Sequence, residues 1–325
     1  MKLRTALELP SYDFKLGHSA GVITLGSCFS EVIGRFLEER KFTVMSNPFG
    51  TIYNLESVYE VVSHALDDRL PDEARMVSRD GLFFHLDYHS EFYSDSPAAL
   101  LERIRAAGRE FREFLAGAGL LIITPGTSRV YTWEEKGVSN CHKLPASRFG
   151  KRLLGLEEQR ELLNGLITRL RSVNPALKVM LTVSPVRHTK DGLPENSVSK
   201  ALLRVLCDEA VNRWPGVYYF PSFEVMMDDL RDYRFYKPDL IHPDEVAEGY
   251  IAELFMKSVM TEEACRRSEE WSRVRTALAH RPLNPGTEAH RVFLVNLLDK
   301  IGAFRPFFDV SEEYEAVERR LLDYS

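Results

Sequence analysis

The run Val22-Ile23-Thr24-Leu25 passes directly into Gly26-Ser27-Cys28-Phe29-Ser30, and the hydrophobic period changes there. Val22 to Leu25 reads as a central parallel strand, while Phe29, Val32, Ile33, Phe36 and Leu37 recur at helical spacing. A strand that turns at once into a helix is the opening of a βα unit, and the turn falls on Gly26 to Cys28. Ser27 and Cys28 therefore stand at a helix N-terminus, where free N–H groups and the positive dipole end lower a thiol's pKa and hold an anionic oxygen. The same residues also read as a plain tight turn with a serine N-cap.

The rest of the chain repeats the alternation. Strands are expected at Val22–Leu25, Phe42–Met45, Leu120–Thr124, Val179–Val183 and Val217–Phe220. Helices are expected at Ser30–Glu39, Leu55–Leu66, Pro97–Leu115, Glu157–Val173, Ser197–Trp214 and Asp244–Met260. Such a series gives right-handed crossovers and a parallel sheet covered on both faces. Two hairpins interrupt it, Met76–Phe92 turning at Arg79-Asp80-Gly81 and Val130–Ser139 turning at Glu135-Lys136-Gly137. Loops after strand C-termini build sites in such sheets, so both hairpins are expected at the active-site edge.

From Thr261 the sequence is charged and helical: Glu262–Ala279, a break at Arg281-Pro282-Leu283-Asn284-Pro285-Gly286, then Ala289–Ile301 and Ser311–Leu322. We divide the chain into a domain over 1–260 and a helical extension over 261–325. Val292, Phe293, Val295, Leu297 and Leu298 would pack on the main domain or on a second copy, which would make a homo-oligomer through these helices.

With 325 residues and 44% hydrophobic content the chain can bury one large α/β core. A net charge of −6, without a basic aromatic stripe, excludes a nucleic-acid footprint. Met1-Lys2-Leu3-Arg4 leads into Glu8 and Pro10 without an apolar signal-like run, and no uncharged stretch approaches the ~18 residues of a membrane span. A cytoplasmic protein without a membrane partner is expected. Cys28, Cys141, Cys207 and Cys265 are scattered with no Cys-x-x-Cys pair, so reduced thiols are expected, with no structural zinc and no cofactor.

Pro238-Asp239-Leu240-Ile241-His242-Pro243-Asp244 sets an acid three residues before a histidine, with Pro243 read at a helix N1 position. This resembles the closing block of the SGNH (GDSL-like) hydrolases, and Gly26-Ser27-Cys28-Phe29-Ser30 resembles the signature of the GSCFA family within that superfamily, with serine in place of the usual alanine. Asn47-Pro48-Phe49-Gly50-Thr51, Ser139-Asn140-Cys141-His142-Lys143, Val183-Ser184-Pro185-Val186-Arg187-His188 and Glu195-Asn196-Ser197 are similar to that family too. The resemblance runs over roughly residues 20–258. It implies a three-layer α/β/α sandwich, SGNH-hydrolase-like and flavodoxin-like, with a central five-stranded parallel sheet, two hairpin insertions and the C-terminal helical extension.

Aligning Gly26 with the superfamily's Gly-Asp-Ser glycine puts Ser27 at its aspartate and Cys28 at its serine, which makes Cys28 the attacking group. A turn slipped by one residue would give that role to Ser27 and leave Cys28 a buried filler. His242 reads as general base and Asp239 as the carboxylate that orients it; the plainer alternative is a surface histidine and a helix cap. Oxyanion donors are expected from the Cys28 N–H, the Gly50 segment, and Gly126-Thr127-Ser128, where Ser128 replaces the superfamily's Asn; Asn54 could substitute or simply cap a helix. His142, Arg187 and His188 are substrate-side candidates, as are Asn140, Lys143, Glu195, Asn196 and Lys200. His85, Asp87 and His89 share one strand face and read as a solvent face or hydrogen-bonded wall rather than a metal site.

The expected activity is that of an SGNH-like hydrolase or acyltransferase. It would act on a small-molecule ester or thioester, such as an acylated sugar, through a covalent acyl intermediate on Cys28. A non-catalytic glycan- or ligand-binding domain on the same fold is the alternative.

Overall fold

The computed structural model describes residue 5, residues 7–283 and residues 286–322, so Met1-Lys2-Leu3-Arg4 and part of the Arg281–Gly286 break lie outside the described residues. Five parallel strands form the central sheet: β1 (Gly21–Gly26), β2 (Val44–Ser46), β3 (Ala118–Thr124), β4 (Lys178–Leu181) and β5 (Val217–Tyr219). Their order is β5-β4-β3-β1-β2. The helices are α1 (Cys28–Glu38), α2 (Leu55–Leu66), α3 (Pro97–Gly117), α4 (Leu156–Val173), α5 (Leu193–Arg213) and α6 (Glu245–Val259), followed by α7 (Glu262–Ala279), α8 (Glu288–Gly302) and α9 (Ser311–Leu322).

Period-2 alternation in buried strands sorts side chains onto two faces. Ile23, Leu25, Leu121, Ile123, Val179 and Leu181 pack with apolar residues of α2, α3, α4 and α5. Val22, Leu120, Ile122 and Met180 pack with Phe29, Ile33 and Leu37 of α1 and with Ile251 and Phe255 of α6. The chain is thus an α/β/α sandwich. The strand order reverses between β1 and β3, so a crevice opens at their carboxyl ends, where doubly wound sheets bind ligands.

β1 and β3 run in register from Val22 opposite Leu120 to Gly26 opposite Thr124. Gly26 has a φ of 136°, and a Cβ there would stand 2.3 Å from the Thr124 carbonyl oxygen. Only glycine lets the backbones approach this closely while the chain turns into α1.

Both insertions are three-stranded. In the first, Met76–Arg79 and Leu82–His85 pair around Asp80-Gly81, and Tyr93–Ser94 adds to the edge. In the second, Arg129–Trp133 pairs with Lys136–Val138 and with Gly150–Leu153. Its turn falls on Glu134 and Glu135, at φ values of 50° and 66°, and not at Glu135-Lys136-Gly137. Gly137 belongs to the strand, opposite Thr132, and its N–H donates to Glu56 while its carbonyl accepts from Arg75.

The last three helices close on an apolar cluster of their own: Trp271, Val274, Leu294, Leu297, Ile301, Phe304, Val310 and Val317. Leu297 points into this cluster, whereas Val292 and Val295 remain exposed. The cluster meets the main domain around the loop after α1, through Lys41 with Glu313, Arg275 with Glu39, and His18 against Phe308.

Gly26→Ala is expected to lower stability by at least ~2 kcal/mol, from positive-φ strain and the contact with Thr124. Gly81→Ala has open space around its Cβ and should cost about 1 kcal/mol. Urea denaturation of the two variants checks the contrast, and equal losses would contradict the packing argument.

Candidate active site

The β1–α1 turn is held from three sides. Ser27 N–H continues the sheet by donating to the Thr124 carbonyl at 2.9 Å. Its hydroxyl Oγ, fully buried, accepts from the Phe29 N–H at 3.3 Å and so caps α1. Asn47 Oδ1 accepts from the Gly26 N–H at 3.0 Å, and the Asn47 amide reaches Glu31 Oε1 at 3.3 Å, which also takes the Thr51 hydroxyl. The stretch Asn47-Pro48-Phe49-Gly50-Thr51 is therefore a brace for this turn. Gly50 itself only closes it, donating to the Asn47 carbonyl at 2.7 Å.

With Ser27 used as cap, Cys28 is the first residue of α1 and is partly exposed. Burial and the Glu31 carboxylate push its thiol above the ordinary value. Its own N–H acts in the opposite direction and is outweighed. The thiolate expected from the helix N-terminus is thus not the resting state: desolvation and Glu31 overcome the dipole.

Asp239 and His242 lie on the loop between β5 and α6. Asp239 Oδ1 accepts the N–H groups of Ile241 and His242, and Asp239 Oδ2 accepts the His242 ring Nδ1–H at 2.7 Å. The His242 and Ile241 N–H groups, then the imidazole, hold the Asp239 carboxyl down to about 2. With Nδ1 turned to the carboxylate, a neutral ring has its proton there and its lone pair on Nε2. Pro243 does not begin α6. Asp244 is the N-cap, with Oδ1 accepting from the Ala247 N–H at 2.8 Å, and Pro243 precedes it. The loop is joined to the one after β4 by Arg187 N–H donating to the Ile241 carbonyl at 3.2 Å.

A cavity of about 380 Å³ brings together Tyr53, Asn54, Thr127, Arg187, His188 and His242, with the second hairpin supplying Arg129, Tyr131, Val138 and Lys151. Ser27 and Cys28 are not among its lining residues. Asn54 does two things at once: its Oδ1 caps α2 at Ser57 N–H, 2.8 Å away, which leaves its NH₂ as the remaining donor on the cavity wall. Arg187 lies against the rings of Tyr236 and Tyr233.

Other expected residues are engaged elsewhere. The N–H groups of Gly126 and Thr127 both donate to the Tyr53 carbonyl, at 2.7 and 3.0 Å, and so are not free for an oxyanion. Ser128 is fully buried, with its N–H on Ser199 Oγ and its hydroxyl on Gln159 and the Ser199 carbonyl. It secures α4 and α5 instead of facing substrate. His142 is also buried: Nε2 meets the His85 carbonyl at 2.9 Å, Nδ1 meets Ser90, and the ring stacks on Phe84. It is a core residue of the first hairpin, not a cavity residue. His85 bonds the Asp72 carbonyl and Asp87 takes the Arg75 guanidinium. Among the described residues no group of three or more His, Cys, Asp and Glu side chains stands ready for a metal. None of the described helices is long and apolar enough to cross a membrane.

Two groups matter more than their sequence signal indicated. His188 packs against Gly126, its Nε2 standing 2.9 Å from where a Cβ on that glycine would be, with the Ser27 Cβ at 3.4 Å from the same point. Burial, then Lys200 and His242, push its pKa down to about 3, so the ring is neutral. Lys200 is buried behind the same loops, and burial lowers its ammonium to about 7. A lone lysine in helical sequence gives no sign that it points inward. Glu195-Asn196 supports this wall as well, Asn196 Oδ1 accepting the His188 N–H at 2.9 Å and Glu195 pairing with Arg129.

The GSCFA family profile matches residues 21–255. The chain belongs to the GSCFA family. A second profile, the GSCFA domain protein C-terminal domain, matches residues 271–323, the span of the last three helices. No curated protein matches the sequence. Among solved structures, a carbohydrate esterase family 3 protein from Talaromyces cellulolyticus is similar to this chain at 7% identity and a TM-score of 0.38, covering 73% of this chain and 95% of its own. A family 3 carbohydrate esterase from Clostridium thermocellum is similar at 10% identity and a TM-score of 0.36, covering 76% and 98%. In this GSCFA domain the signature Gly26-Ser27-Cys28-Phe29-Ser30 has separable structural duties: Gly26 for close approach, Ser27 for the cap, Phe29 and Ser30 for the core beneath, and Cys28 alone toward the outside.

Acid should loosen the fold through buried neutral histidines. His142 is held down to about 4 by burial, so between pH 6.5 and 4 the unfolded chain binds a proton that the folded chain refuses. Stability then falls as pH drops through that window, by roughly 3 kcal/mol for His142 alone at about 1.4 kcal/mol per unit. Urea midpoints at pH 7 and pH 4.5 should differ accordingly, and His142→Gln should shrink the difference; an unchanged difference would refute the assignment.

Proposed function

We propose that this GSCFA domain catalyses acyl transfer from an ester or thioester to water or a sugar hydroxyl, through a covalent intermediate on Cys28. His242 is the general base and Asp239 the carboxylate that orients it. The observation that carries this reading is the Asp239–His242 pair: a carboxylate fixed by two backbone N–H groups holds the ring at Nδ1 and turns Nε2 into a base on a cavity wall. The partial exposure of Cys28 beside a capping, buried Ser27 supports reading the thiol, rather than the hydroxyl, as the attacking group.

Since burial keeps the thiol protonated at rest, attack and deprotonation are coupled. His242 Nε2 takes the thiol proton as Sγ bonds to the acyl carbon. The tetrahedral oxyanion meets the Cys28 N–H and the Asn54 NH₂, the donors left after Gly126, Thr127 and Ser128 are committed. The bond to the leaving oxygen or sulfur breaks, and the imidazolium proton goes to that leaving group. Water or a sugar hydroxyl then attacks the thioester, gives its proton to Nε2, and releases Sγ, which takes the proton back. Polar and charged walls from Arg129, Lys151, Arg187 and Asp191 suit an acylated sugar or a similarly polar small molecule.

Cys28→Ala and His242→Ala should each abolish p-nitrophenol release from p-nitrophenyl acetate, and Asp239→Asn should lower kcat by about 10² to 10⁴. Full turnover in either alanine variant would sink the dyad. Absence of turnover and of any acyl adduct on Cys28 with a panel of acylated sugars would favour the ligand-binding alternative.

A further inference from the structure

Lys200 is 2% exposed and projects from α5 into the space behind the nucleophile turn. Its Nζ donates to the Gly126 carbonyl at 2.7 Å and the Ser184 carbonyl at 2.6 Å, which belong to the loops leaving β3 and β4. No carboxylate pairs with it among the described residues. The titratable groups whose charge bears on this region are Cys28 from α1 and His188 from the loop after β4, while the Phe223 ring lies 5.8 Å from Nζ. The two carbonyl bonds do not neutralise an ammonium, and burial without a counter-ion lowers it to about 7, an expensive placement for structure alone. The thiol of Cys28 feels it as a stabilising charge, and Lys200 feels Cys28 likewise.

We propose that Lys200 is a positioning residue of this site, one that ties the Gly126 and Ser184 loops together and supplies the positive charge against which Cys28 becomes anionic during attack. This rests on the reading of Cys28 as nucleophile. Glu31 and Glu248 oppose anion formation at Cys28, and Lys200 is the cation that answers them. Because the interaction is mutual, an anion at position 28 must also hold Lys200 in its charged form.

The test follows iodoacetamide alkylation of Cys28 against pH, read by peptide mass spectrometry, which needs no turnover. In Lys200→Met the reactive limb should move up by about one pH unit, a roughly tenfold slower reaction at pH 7.5, while circular dichroism stays native. Superimposable profiles in a folded Lys200→Met protein overturn the proposal. Should that variant not fold, the Lys200 Cε resonance of ¹³C-lysine-labelled protein is titrated in wild type and in Cys28→Asp. A midpoint raised by the fixed carboxylate supports the proposal, and an unmoved midpoint overturns it. Turnover surviving in Cys28→Ala would instead refute the nucleophile assignment while the alkylation profiles still report on the charge.

Discussion

The close approach of Gly26 to Thr124 is the constraint on which the rest of the molecule depends. It lets β1 and β3 stay in register to their last residues and then part, one chain turning into α1 and the other into the second hairpin. A side chain at position 26 would push the strands apart where the strand order reverses, and the crevice would lose its floor. Everything that steadies the turn is arranged around this contact: Asn47 on the Gly26 N–H, the Ile52 N–H on the Gly26 carbonyl, and Ser27 across to Thr124. The neighbouring strand end is tied in the same way, because the Tyr53 carbonyl gathers the N–H groups of Gly126 and Thr127. These bonds make the site rigid, and they use up donors that an oxyanion would otherwise find.

Much of the fold was legible in the sequence because hydrophobic periodicity reports burial directly. α2 falls on Leu55–Leu66 as its spacing says, since its apolar stripe is unbroken and Asn54 caps it. The spacing places the start of α5 at Ser197, whereas the helix begins at Leu193. Its first turn, with Pro194, Glu195 and Asn196, carries polar duties that hide the helical pattern. Phe42 is buried without being in β2, because its N–H still closes the end of α1 on the Leu37 carbonyl. Val183 is buried beyond the end of β4 because the N–H groups of Thr182 and Ser184 on either side of it still donate to the Ile123 and Pro125 carbonyls. Turn chemistry misled where two glutamates adopt positive φ and the glycine two residues on serves the strand.

For the candidate site, residue types were legible and microenvironments were not. The acid and histidine of the Asp239 block could be paired on spacing alone, since three residues across a tight loop suffice. Ser128 and His142 could not be placed that way: each lies in a motif-like stretch, yet each satisfies buried backbone or core neighbours. The thiol shows the same limit in energetic form. A helix N-terminus favours a thiolate by a term of about 1 kcal/mol or less. Glu31, recruited to brace Asn47 and Thr51, and the depth of the turn act the other way and win. No sequence pattern announces how deep a turn sits.

Burial moves the two ionisable groups behind the site in opposite directions. It raises the Cys28 thiol and lowers the Lys200 ammonium, so each alone is driven toward its neutral form. Ionised together, they offset one another, because an anion at Cys28 and a cation at Lys200 share the same poorly solvated region and attract there more strongly than in water. In the proposed mechanism, such a site holds Cys28 as a quiet thiol until His242 takes the proton. On that proposal, the charge that develops on sulfur, and next on the acyl oxygen, would find Lys200 already fixed by the Gly126 and Ser184 carbonyls. In the proposed mechanism the histidine moves the proton while the lysine, without touching substrate, sets how much that movement costs.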